Sequence, residues 1–336
     1  MTMLEALETV AAGGSLTRDQ AHTVMGLIMD GGATPAQVGA LLMGLRLRGE
    51  TVDEVTGFAL AMREHATHVQ CQRTPLVDTC GTGGDGLGTF NISTTAAFVA
   101  AGAGAVVAKH GNRAASSHCG SADVLAELGV RLDLAPDDVA RCVDDIGIGF
   151  LFAQALHPAM KHAAGPRREL GVRTVFNILG PLSNPAGATR QVLGVGSASL
   201  MALVAEVSAA LGTERAFVVH GGGMDEITTL GPTTVVEVRD GMTRQYDLCP
   251  EDLGLAPATL MDLAGGTPAE NADILLRVLS GEPGPRRDVV LLNAAAAIAA
   301  ADLASSLAEA VPIAQESIDS GAALAKLEAL RRFAAP

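Results

Sequence analysis

The chain has 336 residues, a hydrophobic fraction of 48% and a formal net charge of −14 at pH 7. This acidic balance argues against nucleic-acid binding, because neutralising phosphates requires clustered lysine and arginine. Five cysteines, odd in number and without a CxxC pair, argue against both a disulfide framework and a zinc site. The longest apolar run, about residues 291–301, is well short of the ~18 residues of a membrane span, and the first residues have no basic segment of a signal peptide. We expect a cytoplasmic protein without a membrane or nucleic-acid partner.

The first 70 residues predict a small helical domain. Thr17, Thr34 and Thr51 each precede an amphipathic run, and threonine is a favoured residue at helix N-termini. Beyond this region, short valine-rich runs alternate with longer alanine- and leucine-rich runs, which is typical of α/β layer structures. We therefore predict the α/β class, with a small all-helical domain (1–70) and a larger α/β domain (71–336) whose mostly parallel central sheet is flanked by helices.

Several elements of the larger domain can be placed from sequence. Further strands are predicted at 149–152, 191–195, 216–219 and 234–238, and a long helix at about 288–310. Residues 157–188 interrupt the alternation with helical and Gly/Pro-turn character. A basic helix of this kind is commonly a solvated face. The alternative, which we adopt, is that residues 165–188 return to the helical domain and cross the crevice.

The predicted first strand, near residues 75–77, ends in a glycine-rich loop with the sequence GTGGDGLG at 81–88. An apolar helix is predicted to follow, with Asn91, Ser93 and Thr94 at its start. Glycines let backbone N–H groups approach an anion closely, and a helix start adds unpaired donors and the positive end of the helix dipole. This pattern predicts a phosphate-binding loop. Taken alone, the glycines could instead merely turn the chain.

A second predicted strand, from about Val106, ends in the polar run KHGNR at 109–113. Ligands of parallel α/β sheets collect at the carboxyl ends of strands, so two such ends predict one shared crevice. Gly81, Gly83 and Gly86 also satisfy the GxGxxG pattern of dinucleotide-binding folds. That pattern expects an acidic residue about 20 positions on, where this chain offers Lys109 and His110, which favour phosphate.

Two adjacent carboxylates, Asp225 and Glu226, follow a valine-rich strand and three glycines. Magnesium prefers oxygen ligands and is commonly held by one or two carboxylates beside a bound phosphate. The pair is a candidate metal site, although an acidic pair can also simply cap a turn.

Together these segments resemble the anthranilate phosphoribosyltransferase family of tryptophan biosynthesis. The resemblance covers nearly the whole chain. It rests on GTGGD at 81–85, TFNIST at 89–94, KHGNR at 109–113, SS with GSAD at 116–123, RTVFNILGPLSNP at 173–185 and HGGGMDE at 220–226.

The resemblance implies transfer of the phosphoribosyl group of 5-phosphoribosyl 1-diphosphate to the amine of anthranilate, with release of pyrophosphate. This is the second step from chorismate to tryptophan. The resemblance also implies two Mg²⁺ ions and a homodimer formed through the helical domain. An aromatic amine is neutral at pH 7, so we expect catalysis by orientation and by stabilisation of the leaving group.

The resemblance further implies three sets of site residues. The diphosphate sugar would be bound by Gly81, Gly84, Asp85, Thr89, Asn91, Ile92, Ser93, Thr94, Lys109, His110, Gly111, Asn112, Arg113, Ala114, Ala115, Ser116, Ser117 and Ser121. Anthranilate would be bound by Gly81, Asn112, Arg167, His110, Gly180 and Pro181. The metal would be held by Ser93, Asp225 and Glu226.

The side-chain chemistry of Arg167 and His110 bears directly on their expected roles. Arg167 can pair bidentately with a carboxylate, as lysine cannot. No nucleophile or base is assigned. His110 is a candidate mild proton acceptor, but we favour packing of its ring against the substrate.

Two alternative functions remain open on sequence grounds. A pyrimidine nucleoside phosphorylase has a similar architecture and similar phosphate loops, but phosphorolysis needs no acidic metal pair. A non-enzymatic relative that binds nucleic acid is disfavoured by the net charge of −14.

Overall fold

The computed structural model describes residues 1–114 and 118–333. Its first four helices are α1 (Met3–Ala11), α2 (Arg18–Met29), α3 (Pro35–Arg48) and α4 (Val52–Glu64). Each begins after a threonine whose hydroxyl accepts a backbone N–H of the first turn, while the glutamate or glutamine at that position bonds back to the threonine N–H. The helix starts predicted at Thr17, Thr34 and Thr51 are confirmed.

Seven strands form one sheet in the larger part of the chain. They are β1 (Leu76–Asp78), β2 (Val106–Gly111), β3 (Ile148–Phe152), β4 (Arg190–Gly194), β5 (Arg215–Gly221), β6 (Thr233–Arg239) and β7 (Met242–Leu248). Their spatial order is β3-β2-β1-β4-β5-β6-β7. Strands β1 to β5 pair in parallel, whereas β6 and β7 are antiparallel. This confirms the predicted fold class. Strand β7 was not predicted, because its exposed sequence MTRQYDL lacks apolar alternation.

The remaining helices flank the sheet. They are α5 (Ile92–Gly102), α6 (Ser121–Glu127), α7 (Pro136–Arg141), α8 (Ala153–Leu156), α9 (Lys161–Leu170), α10 (Phe176–Leu179), α11 (Met201–Ala210), α12 (Pro268–Leu279), α13 (Pro285–Ala300), α14 (Leu307–Asp319) and α15 (Ala322–Phe333). Within the described ranges, no helix is both long and apolar enough to span a membrane.

The prediction of one helix over 288–310 is wrong. Helix α13 ends at Ala300, and Asp302 adopts the left-handed conformation with φ of 57°. There its carboxylate binds the guanidinium groups of Arg190 and Arg215 from the neighbouring strands. These ion pairs lie far apart in sequence, so local helix propensity does not register them. A new N-cap, Ser306, then starts α14.

The sheet buries both of its faces. Along β5, Phe217 and Val219 join the core formed with α5 and α12–α15. The alternate residues, Ala216 and Val218, join a second core that also contains the apolar side chains of α1–α4 and α11. Burial on both faces explains why the parallel strands read as continuous valine-rich runs.

Residues 165–188 lie against the N-terminal helices. Phe176 and Leu179 belong to the same core as α2–α4. The guanidinium of Arg63 on α4 donates a hydrogen bond to the carbonyl oxygen of Leu182 at 2.8 Å, and Arg46 on α3 donates to that of Arg173 at 2.6 Å. This segment therefore joins the helical part to the edge of the sheet.

Helices α2 and α4 approach each other closely at Gly57. A Cβ atom at this position would lie 2.2 Å from the carbonyl oxygen of Arg18 and 2.8 Å from the Cβ of Ala21. We expect Gly57→Ala to lower the free energy of unfolding by about 1–3 kcal/mol, because the packed backbone must move. Urea denaturation followed by circular dichroism measures this change.

The matched control is Gly39→Ala on α3, where an added Cβ meets no atom within 4 Å. Alanine is the better helix former by about 0.8–1 kcal/mol, so this variant should be slightly stabilised. Equal effects at the two positions would contradict the close-approach explanation.

Candidate active site

The carboxyl ends of the parallel strands meet at one edge of the sheet. Strand β1 lies between β2 and β4, so the chain leaves β1 in one direction and returns on its other side. This is the topological switch point at which α/β sheets form ligand crevices. The glycine loop follows β1, the KHGNR run ends β2, and the acidic pair follows β5. The fold thus brings the separately predicted motifs to one edge.

The glycine loop after β1 touches both walls of the crevice. Gly84 has φ of 77°, which favours glycine, and a Cβ there would also displace the guanidinium of Arg173, which would lie only 1.6 Å away. Arg173 donates a hydrogen bond to the carbonyl oxygen of Gly83 at 2.9 Å. On the other side, a Cβ at Gly81 would lie 2.7 Å from Oδ2 of Asp225.

Backbone donors hold the acidic pair against this loop. Oδ2 of Asp225 accepts the N–H of Gly83 at 2.7 Å, and Oε1 of Glu226 accepts the N–H of Ser93 at 3.1 Å. Ser93 lies in the first turn of α5, so the three proposed metal ligands are adjacent. A small cavity between them is lined by Thr79, Gly81, Ser93, Ala96, Val192, Gly194, Asp225, Glu226 and Asn293.

Burial and repulsion from neighbouring carboxylates raise the pKa values of the acidic pair, and the ammonium of Lys109 only partly offsets this for Glu226. Burial, together with the charge of Asp85, raises the pKa of Asp225 to about 6. Burial and the neighbouring charge of Asp225 raise the pKa of Glu226 to about 8. Crowded carboxylates that resist ionisation form an oxygen donor set suited to a divalent cation such as Mg²⁺.

Helix α5 begins where the sequence predicts, but without a side-chain cap among the described residues. Asn91 occupies the N-cap position, but its side chain makes no capping hydrogen bond. Its amide instead donates to the carbonyl oxygen of Cys119 at 3.2 Å and accepts from the amide of Asn271 at 2.9 Å. Ile92 and Thr94 are buried, and the N–H of Ile92 already donates to the carbonyl oxygen of Phe90 at 2.7 Å. Thr89 forms an isolated bridge with Ala264.

Lys109 points into the protein. The residue is only 4% exposed. Its ammonium donates hydrogen bonds to the carbonyl oxygen and the hydroxyl of Thr79 at 2.9 and 3.0 Å. The hydroxyl of Thr79 in turn donates to the carbonyl oxygen of Ser93 at 3.2 Å. Lys109 thereby links the ends of β1 and β2 to the first turn of α5.

Asp78 ties a third segment to these strand ends. Its buried carboxylate accepts the N–H of His110 at 3.0 Å and the amide of Asn184 at 2.7 Å. Asp78, Cys80 and His110 together present three metal-ligand atoms within 4.8 Å of one another. Since both oxygens of Asp78 already accept hydrogen bonds, we do not assign a metal to this group.

His110 is held as a neutral ring. Its Nδ1–H donates to the carbonyl oxygen of Gly180 at 3.1 Å, and its ring centroid lies 5.1 Å from that of His157. Burial, with a smaller contribution from His157, lowers the pKa of His110 to about 3, and burial lowers that of His157 to about 4. Both Nε2 atoms lack a hydrogen-bond partner among the residues described. A neutral, weakly basic imidazole suits packing better than proton transfer.

These two histidines should make stability depend on pH. Their folded-state pKa values lie below the unfolded value of about 6.5, so stability is complete above pH 6.5 and decreases as the pH falls toward 3–4. At pH 5 each should cost about 2 kcal/mol relative to pH 8. We expect His157→Gln to reduce the difference in unfolding free energy between these pH values by that amount. The exposed His68 provides the control, and an equal change in His68→Gln would contradict the assignment.

The loop after β2 is organised around Asp123. Its carboxylate binds the guanidinium of Arg113 at 2.9 Å and accepts the N–H of Ala114 at 2.8 Å. The hydroxyl of Ser121 donates to the carbonyl oxygen of Asn112 at 3.3 Å. At Gly111, which ends β2, a Cβ would lie 2.3 Å from the Ser121 hydroxyl. Predicted site residues Ala115, Ser116 and Ser117 lie outside the described residues.

The segment 165–188, which lies against the N-terminal helices, carries Arg167, one of the predicted anthranilate-binding residues. The guanidinium of Arg167 lies 5.0 Å from the ring centroid of Phe176, and burial lowers its pKa. Across 1–114 and 118–333, Arg167 forms no ion pair with a carboxylate. Phe176 begins α10, which ends immediately before Gly180. The next residue, Pro181, is fixed by a hydrogen bond from the Gln191 amide to its carbonyl oxygen at 2.7 Å.

Several residues that contact the site motifs were not among the predicted site residues, including Asp78, Arg173, Asn184 and Asn293. Three of these four had a signal in the sequence. Arg173 and Asn184 lie inside the motif at 173–185. Asn293 is the single polar residue within the run VVLLNAAAAIAA, which marks a buried hydrogen-bonding role. Asp78 has no comparable signal.

Comparison with known proteins agrees with this geometry. A family model for the glycosyl transferase family a/b domain matches residues 73–324, and the helical bundle domain model of that family matches residues 4–66. Anthranilate phosphoribosyltransferase from Pelotomaculum thermopropionicum is 58% identical over 98% of this chain and 95% of its own length. The chain belongs to the anthranilate phosphoribosyltransferase family.

Solved structures of anthranilate phosphoribosyltransferases have the same fold. The enzyme from Thermus thermophilus matches with a TM-score of 0.94 at 49% identity, covering 98% of each chain. The Saccharomyces cerevisiae enzyme, in complex with PRPP and Mg, matches with a TM-score of 0.89 at 31% identity, covering 99% of this chain and 97% of that chain. As a member of this family, the chain is a glycosyl-transferring enzyme.

Proposed function

We infer that this chain transfers the phosphoribosyl group of 5-phosphoribosyl 1-diphosphate to the amine of anthranilate, forming N-(5-phosphoribosyl)anthranilate and pyrophosphate in tryptophan biosynthesis. The observation that carries this inference is the meeting of the glycine loop, the first turn of α5 and the acidic pair at the switch point of the sheet. Membership of the family supplies the identity of the substrates.

The diphosphate sugar would lie along the glycine loop and the start of α5. Backbone N–H groups at Gly81 and Gly84 would donate to its anionic oxygens, favoured by the dipole of α5. His110 and Gly111 at the end of β2, with Asn112, Arg113 and Ser121 beyond it, would enclose the ribose and its 5-phosphate. Lys109 would attract the anionic ligand partly through its buried positive charge, because its ammonium already donates hydrogen bonds to Thr79.

The acidic pair and Ser93 would hold Mg²⁺, and we propose two ions in total. The raised pKa values of Asp225 and Glu226 support this, because burial and the nearby carboxylates outweigh the stabilising charge of Lys109. When bound, Mg²⁺ would supply positive charge against the diphosphate oxygens that become more negative as the bond to C1 of the ribose breaks.

Anthranilate would bind on the side of residues 165–188. The guanidinium of Arg167 would pair with its carboxylate, and Asn112, Gly180 and Pro181 would line the approach. The ring of His110, fixed by Gly180, would pack against the aromatic ring. Since the amine is neutral at pH 7, these residues need only hold its nitrogen facing C1 of the ribose.

We further propose a functional division of the chain. Residues 1–70 and 165–188 would move as one body against the remainder of 71–336, closing the crevice on its ligands. The contacts from Arg46 and Arg63 to residues 165–188 support this grouping. A homodimer formed through the N-terminal helices and a cytoplasmic location stay predictions from the sequence.

The test is the disappearance of anthranilate fluorescence on mixing protein, anthranilate, 5-phosphoribosyl 1-diphosphate and Mg²⁺. We expect loss of the signal only when all components are present, together with one pyrophosphate released for each anthranilate consumed. Thymidine or uridine with inorganic phosphate serves as the comparison. Phosphorolysis of these nucleosides without anthranilate transfer would overturn the assignment.

A further inference from the structure

Helix α13 carries one polar side chain in the middle of an otherwise apolar stretch. Residues 289–300 are all buried, and among them Asn293 is only 2% exposed. An amide in such surroundings costs free energy unless its donors and its acceptor are paired. The partners of Asn293 therefore indicate what the residue does.

Three hydrogen bonds use the amide of Asn293. Its Oδ1 accepts the N–H of Ile227 at 3.0 Å, and its Nδ2 donates to the carbonyl oxygens of Ile227 and Val289 at 2.8 and 2.9 Å. One side chain thus holds both backbone polar groups of Ile227, the residue that follows Glu226. Because the N–H of Ile227 belongs to the peptide unit after Glu226, this pairing restricts the ψ angle of Glu226.

The backbone that precedes the acidic pair is also held in place. Gly221 and Met224 exchange backbone hydrogen bonds at 2.9 and 3.2 Å across a tight turn. The backbone of Asp225 is also pressed against β4, since a Cβ at Gly194 would lie 1.6 Å from the carbonyl oxygen of Asp225. Asp225 and Glu226 therefore lie between a local turn and the distant amide of Asn293.

We propose that Asn293 is a positioning residue that holds the carboxylates of Asp225 and Glu226 in the arrangement needed to bind a divalent metal ion. This inference rests on the metal role given to the acidic pair in the proposed function. Groups that orient metal ligands without touching the ion typically change metal affinity by about 10- to 100-fold when they are removed. Asn293 lines the same small cavity as the two carboxylates.

Two substitutions of Asn293 distinguish the effect of losing the hydrogen bonds to Ile227 from the effect of destabilising the core. Asn293→Leu keeps the approximate volume and removes all three hydrogen bonds. Asn293→Ser is milder, because a helical serine can still donate to the carbonyl oxygen four residues earlier, at Val289, but does not reach both groups of Ile227. If the leucine variant fails to fold, the serine variant decides the question.

The readout is binding of Mn²⁺, measured by loss of the free-ion electron paramagnetic resonance signal. Both substrates are omitted, because free 5-phosphoribosyl 1-diphosphate would itself bind Mn²⁺ and remove the free-ion signal. We expect the Kd for Mn²⁺ to rise by at least about tenfold in the Asn293 variants. The Mg²⁺ concentration that gives half the maximal rate should rise in parallel.

The matched control is Leu291→Ala, which leaves a cavity in the same helix but keeps both bonds to Ile227. It should lose stability and keep its Mn²⁺ affinity within about twofold, well under the tenfold change expected at Asn293. Equal Mn²⁺ affinities in the Asn293 and Leu291 variants would overturn the positioning role and leave Asn293 as a core residue.

Asp225→Asn and Glu226→Gln are measured in the same assay. They test the metal role of the acidic pair independently of the positioning role of Asn293. If these variants bind Mn²⁺ as the unsubstituted protein does, the proposed metal role of the acidic pair fails. If they bind it weakly while Asn293→Ser binds it normally, only the positioning role fails.

Discussion

The double substitution Asp225→Ala and Glu226→Ala should lower kcat/KM by at least about a thousandfold. Both carboxylates face the crevice between the glycine loop and α5, where charge on the departing diphosphate must be balanced. Without them, that compensation is lost and the N–H groups of Gly83 and Ser93 lose their acceptors. Steady-state rates over a range of Mg²⁺ concentrations measure the effect, which added Mg²⁺ should not reverse.

A second adjacent acidic pair provides the control for the change in charge. Glu251 and Asp252 are exposed and lie in a 3-10 turn after β7. Alanine at both positions also removes two negative charges and should leave the rate nearly unchanged. Full activity of the Asp225 and Glu226 variant at low Mg²⁺ would disprove the role of that pair.

Arg167→Ala should raise the KM for anthranilate about 10- to 100-fold and change that for the diphosphate sugar little. A charge-assisted hydrogen bond is worth about 1.5–3 kcal/mol, and the guanidinium has no carboxylate partner within the described part of the protein. Initial rates measured with each substrate varied in turn give the two KM values.

The neighbouring Arg168 is exposed on the same helix and is the natural control. Arg168→Ala should leave both KM values unchanged, and Arg167→Lys should restore only part of the anthranilate affinity, since an ammonium cannot pair bidentately. An equal rise in both KM values for Arg167→Ala would argue instead for a general effect on crevice closure.

Local patterns were sufficient for the fold class and for most of the motifs. The threonine caps of α2–α4 lie where the spacing predicted, because a capping box needs only residues three positions apart. The ends of β1 and β2 were predictable as one crevice, because parallel neighbours place their carboxyl ends together. Strand β7 and the break after Ala300 were missed, since they depend on an edge position and on distant ion pairs.

The sequence by itself predicted that glycines, hydroxyls and two carboxylates serve a phosphate-bearing ligand, because these residue types carry that chemistry wherever they lie. Only the tertiary structure decided how the groups are arranged. It turned the ammonium of Lys109 toward Thr79, kept His110 neutral beside His157, and placed Asn293 against Ile227, 66 positions away. Each of these arrangements depends on burial or on a partner that is distant in sequence. Burial and distant contacts arise only when the chain packs, so local sequence does not reveal them.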